Sequence, residues 1–206
     1  IRGYQGGTAI LSAGSILIDN SASGSVPGPT DPLGGTLVLD AGVITLGINQ
    51  VAIDQYTTVR MNASGGVRTQ GTGGLKLQGA LSINAPVIAG GKSSNYAITA
   101  GGDIVMQPSG GAGSVTGGLA ATLSIQGATI TADSAIQLPS GSLTLRGTGA
   151  VSVGGMLDVG GTAQTFFDLV KYTDAGQIVL TSDNSGVSVL PDGKLNLSAQ
   201  PAGGNA

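Results

Sequence analysis

The chain of 206 residues has no cysteine, no histidine and no tryptophan. Without cysteine and histidine, disulfides, thiol nucleophiles, a Ser-His-Asp triad and the commonest metal ligands and general bases are all excluded. A lack of cysteine also suits a protein that crosses a membrane unfolded. All eleven acidic residues are aspartate, so glutamate is missing as well, and lysine and arginine together number eight. With only 9% charged residues and so few strong helix formers, the composition cannot supply a long helix. No apolar run approaches the roughly 18 residues of a membrane-spanning helix. The formal charge is −3, and Arg2, Arg60, Arg68 and Arg146 are scattered, so no basic face for nucleic acid is present.

What the chain has instead is glycine, 38 residues of it, together with a short recurring phrase of two aliphatics separated by one residue. The phrase occurs as Gly35-Thr36-Leu37-Val38-Leu39, Gly74-Leu75-Lys76-Leu77, Gly79-Ala80-Leu81-Ser82-Ile83 and Asp103-Ile104-Val105-Met106. Further copies are Thr122-Leu123-Ser124-Ile125, Ser142-Leu143-Thr144-Leu145, Gln177-Ile178-Val179-Leu180 and Lys194-Leu195-Asn196-Leu197. A period of two is that of a strand with one buried face, and the flanking glycines and asparagines are turn formers. Leu81, Ile104, Leu123 and Leu143 recur at intervals of about 20 residues, with shorter strands such as Thr129-Ile130-Thr131 and Val151-Ser152-Val153 between them. Each strand is followed by one of a different type before the first type returns. This is the order of a right-handed parallel β-helix, with about ten coils of roughly 20 residues; an antiparallel sandwich or barrel is the alternative. Stacked coils also explain the scarcity of charge, because a charge repeated at one position would face its like in the next coil.

Two stretches interrupt the rhythm. Residues 20–34 carry three prolines and read as a loop bulging from one coil. Residues 164–176 hold both phenylalanines and Tyr172; Phe166, Leu169 and Val170 have the spacing of one face of a short helix. This insertion is read either as an aromatic clasp over a coil or as an exposed shelf for a sugar ring or partner, with Phe166, Phe167 and Tyr172 as the contact residues.

Catalytic signals are weak throughout. Gly90-Gly91-Lys92-Ser93 ends like a phosphate loop, but Pro86 stands where its first glycine belongs, and the residues that follow read as a strand. Asp19, Asp31, Asp40, Asp54, Asp133 and Asp192 lie in turn-like contexts, where aspartate caps the local backbone. No acidic dyad of the kind glycoside hydrolases use is evident. No cofactor and no enzymatic activity are expected.

The C-terminal third carries the most specific pattern: Gly155-Met156-Leu157-Asp158-Val159-Gly160-Gly161, the Phe166-Phe167-Asp168 to Tyr172 insertion, then Gly176-Gln177-Ile178-Val179-Leu180 and Gly193-Lys194-Leu195-Asn196-Leu197. In this, and in its repeat over nearly the whole length, the chain resembles an interior segment of filamentous-haemagglutinin-like exoproteins, the secreted partners of bacterial two-partner secretion. The resemblance implies a long right-handed parallel β-helix at the bacterial cell surface or outer membrane. It implies a role in adhesion, in a biofilm matrix or in carrying a distal toxic domain. The family's transporter-recognition signals of Asn-Pro-Asn-Gly type are absent, so contact with an outer-membrane transporter would belong to an N-terminal domain outside this chain. No Arg-Gly-Asp triplet occurs either. The start at Ile1-Arg2-Gly3 and the turn-like end at Gly203-Gly204-Asn205-Ala206 read as one β-helical segment, 1–206, of a much larger protein, with the rest of that β-helix as its neighbour. The leading expectation is therefore a non-enzymatic shaft supporting attachment to host or bacterial cells. The alternatives are a polysaccharide-binding module and a self-assembling matrix element.

Overall fold

Alternating aliphatic and polar residues with turn-forming glycines leave the backbone little choice but short strands, and the computed structural model contains twenty of them and no helix among the described residues. Those residues are 1–3, 6–25 and 33–206; most of the proline-bearing part of the 20–34 loop, Asp31 included, lies outside them. In chain order the strands are β1 (Thr8–Ile18), β2 (Thr36–Leu46), β3 (Asn49–Ile53), β4 (Thr58–Thr69) and β5 (Thr72–Leu77). Next come β6 (Ala80–Asn84), β7 (Val87–Gly90), β8 (Asn95–Ala100), β9 (Ile104–Gln107) and β10 (Thr122–Gly127). They are followed by β11 (Ile130–Ala132), β12 (Ala135–Gln137), β13 (Ser142–Gly147), β14 (Val151–Val153) and β15 (Met156–Asp158). The last are β16 (Ala163–Phe166), β17 (Leu169–Tyr172), β18 (Gln177–Ser182), β19 (Val187–Val189) and β20 (Lys194–Asn196).

Apart from the β16–β17 pair, every strand pairing is parallel. Three ladders result. The first runs β1-β2-β4-β6-β9-β11-β14-β19 and the third runs β3-β5-β8-β10-β13-β18. The second shares β1, β2 and β4 with the first and continues β7-β12-β15-β20. The long strands β1, β2 and β4 therefore cross a corner that later turns mark by breaking into two strands. The register shifts there between Ala41 and Val43, and Gly66 supplies the bend at φ +128°. A Cβ on Gly66 would lie 2.8 Å from the carbonyl oxygen of Val87, so both the conformation and the space demand glycine. This nearly closed set of parallel sheets is compatible with a β-helix.

Inward residues of the three ladders form one core. Leu37, Leu39, Leu75, Leu81, Ile83, Leu123, Ile125, Leu143 and Leu145 are all buried, as their alternation requires. Burying each such side chain contributes about 1.5–3 kcal/mol. Leu195 and Leu197, expected to share that core, are 41% and 38% exposed, because β20 is the outermost rung of its ladder. The register also corrects one repeat assignment. Leu81 does pair with Ile104, but Ile104 then pairs with Ile130, while Leu123 pairs with Tyr96 and Leu143 in the third ladder.

One turn departs from this pattern. β7 pairs directly with β12, although four strands, β8 to β11, lie between them in sequence, where only β13 and β14 lie between β12 and β15. The segment 108–121 runs instead across the outer face of the second ladder, where Ser114 and Gly118 donate to the carbonyls of Gly65 and Gly90 at 2.7 Å each. Val115 packs there with Val87 and Ala89 in a small second apolar cluster.

Asp192 lies in a turn as its context suggests, whereas Asp40 and Asp54 have other tasks. Asp40 lies within β2, where its Oδ1 accepts from Asn62 Nδ2 at 2.5 Å, and Asn62 Oδ1 accepts in turn from Asn84 Nδ2 at 2.6 Å. An amide both donates and accepts, so asparagine can be stacked where aspartate cannot. Asp54 is buried and paired with the half-exposed Arg2, whose Nε and Nη2 reach the carboxylate at 3.0 and 2.8 Å. Those hydrogen bonds, and then the charge of Asp54, hold the Arg2 guanidinium above its ordinary pKa.

Asn62→Asp places a second carboxylate beside Asp40. Each carboxylate then raises the other's pKa in the folded state, so the destabilisation is present at neutral pH and disappears as pH falls towards the ordinary carboxylate range, about 4. Thermal melts of variant and parent are expected to differ by about 2 kcal/mol at pH 7 and to converge near pH 3.5. A difference independent of pH would contradict the stacked arrangement.

Candidate contact surface

The 164–176 insertion is a β-hairpin and not the expected helical turn. An isolated turn of helix fixes several residues for one hydrogen bond, whereas a hairpin satisfies both of its strands at once. Thr165, Val170 and Tyr172 also favour the extended conformation. β16 and β17 pair through Ala163 with Tyr172, Gln164 with Lys171, Thr165 with Val170 and Phe166 with Leu169. Phe167 and Asp168 form the two-residue tip.

The base of the hairpin is fixed. Thr173 donates its N–H to the carbonyl of Thr162 at 2.9 Å, and its hydroxyl accepts from the Thr162 N–H at 2.8 Å. Ser140 Oγ lies 2.6 Å from the same hydroxyl, joining the hairpin to the β12–β13 turn. Gln200 reaches from the C-terminal tail to the carbonyl of Gly161 at 2.7 Å. Tyr172 packs against that tail: a Cβ on Gly203 would lie 2.9 Å from its ring.

The tip has no such support. The Phe167 side chain is fully exposed, and its φ of +55° lies in the left-handed region that a bulky residue seldom enters. Leu169 and Val170 are exposed beside it. Of the three residues assigned to this insertion, Tyr172 lies against the C-terminal tail and is 38% exposed, Phe167 stands at the exposed tip, and Phe166 pairs with Leu169 at the end of β16. Phe167 opens the two-residue turn between β16 and β17, where hairpin geometry calls for a positive φ, so it is the turn that holds this phenylalanine in the left-handed region.

A second concave region went unread in the sequence. A cavity of about 430 Å³ lies between the 108–121 segment and β1, bordered by Leu17, Val43, Thr45, Arg68, Gln70 and Val115. Arg68 Nε donates to Thr45 Oγ1 at 3.1 Å, which fixes the guanidinium there. The signal available was Pro108-Ser109-Gly110-Gly111-Ala112-Gly113-Ser114, a run too rich in glycine to continue a strand.

The remaining chemistry lies apart. Gly90 ends β7, and Lys92 and Ser93 turn the chain into β8, so no helix N-terminus faces a phosphate at that sequence. No group of three acidic residues could hold a metal ion among the described residues. Tyr96 lies wholly inside the core, its hydroxyl without a hydrogen-bond partner, and burial pushes its pKa up to about 12. It is therefore a neutral core residue at any ordinary pH.

Phe167→Gly removes the left-handed strain and no buried area. Its melting temperature is expected to equal or slightly exceed that of the parent chain, by up to about 1 kcal/mol in stability. A clear loss of stability would assign Phe167 to packing. Comparison of the chain with family models, with curated proteins and with solved structures finds no match.

Proposed function

We propose that the chain is a non-enzymatic shaft segment of a secreted bacterial adhesin of the filamentous-haemagglutinin type, standing at the cell surface or outer membrane. In this reading the parallel sheets wind as a right-handed β-helix, and the first ladder counts its turns. Eight rungs at ~4.8 Å spacing give a stack roughly 35 Å long. Its task is mechanical: to hold a binding or effector region away from the cell.

The observation that carries this reading is the continuity of the inward aliphatic rows from one end of the ladders to the other. A stack joined by backbone hydrogen bonds at every rung resists bending, as a spacer must. The resemblance in the C-terminal third adds the adhesin context. The free Phe167 tip favours a second reading, in which the hairpin itself touches a polysaccharide or a cell surface through aromatic stacking.

A binding panel of neutral and acidic polysaccharides and of host and bacterial cells separates the two. The shaft reading expects no saturable binding by the folded, monodisperse protein. Saturable binding that is lost in Phe167→Ala with unchanged melting would replace the spacer by an adhesive module.

A further inference from the structure

We infer that the 108–121 segment is a displaced rung of the second ladder and that the stack exchanges it: β7 and β12 part, and residues 113–116 enter between them with Val115 facing the core. The inference goes beyond the shaft role and needs only the order in which the chain visits the three ladders. The first ladder carries β9 between β6 and β11, and the third carries β10 between β8 and β13. Among the described residues the second carries nothing between β7 and β12. One turn of the chain is thus represented on two sides of the core and left out on the other.

The omitted rung is still written in the chain. From the inward row of the second ladder to that of the third, eight residues lead from Ile88 to Tyr96 and seven from Ile136 to Leu143. Eight lead from Val115 to Leu123, so Val115 stands at the place of the missing inward residue. Its row would read Val67, Ile88, Val115, Ile136 and Leu157, aliphatic throughout. Ser114 would then face outward beside Val87 and Ala135, and Thr116 beside Ala89 and Gln137, bringing no charge. Beyond Val115 the segment has already regained its level. Gly118 donates to the carbonyl of Gly90 at 2.7 Å and Ala120 to that of Pro139 at 3.0 Å, so the chain lies there between the corners that follow β7 and β12. Ala120 also has a positive φ of +56°, as Ser93 and Ser140 have at those corners, +52° and +53°. Only the stretch before Gly117 is out of line.

The displacement has its cause on the other side of Val115. Five residues lead from Ile83 to Ile88 and four from Ala132 to Ile136, but nine from Met106 to Val115. The surplus falls in Pro108-Ser109-Gly110-Gly111-Ala112-Gly113, where proline and glycine disfavour a strand. Displaced, Val115 covers Val87 and Ala89 from outside, and Ser114 bonds to Gly65. Entered, the segment replaces one strand interface, the three residue pairs of β7 with β12, by two. It gives up the small outer cluster and gains a sealed place between Ile88 and Ile136. Two packings of the same residues, linked by a short zipping movement from a corner already formed, make a two-state element. Entry lengthens the second ladder by one rung, ~4.8 Å, so a pull along the stack favours it.

Cysteine pairs in the full 206-residue chain, oxidised under mild conditions and followed by mass and thiol counting, test the exchange. Ala89→Cys with Gln137→Cys joins partners ~4.8 Å apart while the rung is displaced and is expected to oxidise readily. Ser114→Cys with Ala135→Cys joins positions that are then two rungs, ~10 Å, apart, because Ser114 is held at Gly65, and that become neighbours on entry. This pair is expected to give one intramolecular disulfide about 10- to 1,000-fold more slowly than the first, as a minor state populated at roughly 0.1–10% dictates. Ser114→Cys with Met156→Cys, one rung further along the same row, is expected to stay reduced. Val87→Cys with Ala135→Cys replaces the first pair should Ala89→Cys lower the melting temperature. A Ser114–Ala135 pair that stays reduced while the first closes would overturn the exchange. So would equal oxidation of the Met156 pair, which marks a segment that is merely loose. A first pair that stays reduced would overturn the β7–β12 contact and the exchange with it. None of these outcomes depends on the binding panel, so the shaft reading and the exchange fail separately.

Discussion

Every feature of this molecule answers to the in-register parallel pairing of successive turns. When position repeats on position at ~4.8 Å, each side chain has its own kind above and below it, and a row must be acceptable as a row. Aliphatic rows seal the interior. Polar rows are restricted to groups that donate and accept together, which is why Asp40 is followed by Asn62 and Asn84 and not by further aspartates. Charge is tolerated where a partner is provided, as for Arg2 with Asp54 and Arg146 with Asp183. The low charge of the whole chain is a consequence of stacking more than of its surroundings.

The same regularity leaves the chain few places at which it departs from the ladders. Two such excursions stand out among the described residues: the 163–172 hairpin and the 108–121 segment across the second ladder. They differ in character. The hairpin is braced at its base by Thr173, Ser140 and Gln200 and is bare at its tip, whereas the 108–121 segment is pressed onto the sheet by Val115. In the proposed shaft, such excursions would present a contact at a fixed place along the stack.

Much of this was legible in the sequence. Strand type, the parallel order and the aliphatic core follow from the period of two and from turn residues at regular intervals. Which ladder a strand joins did not follow. The phrase around Ile104 and the phrase around Leu123 look alike because both ladders demand aliphatic-x-aliphatic, so similarity alone placed them in one series. The hairpin read as a helical turn because Phe166, Leu169 and Val170 satisfy that spacing by chance, and nothing local reveals that the segment must return to where it left. The 108–121 detour was missed because Val115, its single anchor in the outer cluster, carries no period. The exposed ends of Leu195 and Leu197 depend on what lies beyond a rung, a property of position in the stack that no local pattern encodes.

The most direct test of the in-register stack uses the absence of native cysteine. Ser124 and Thr144 are outward partners on β10 and β13. Parallel pairing puts their Cα atoms ~4.8 Å apart, inside the range a disulfide spans. Introducing cysteine at both positions and following oxidation by thiol counting and mass is expected to give one intramolecular disulfide with native-like melting. The offset pair at Ser124 and Arg146, on the same face but one step out of register, is expected to remain reduced. Equal oxidation of both pairs, or of neither, would contradict the stacked register on which the fold and the proposed shaft depend.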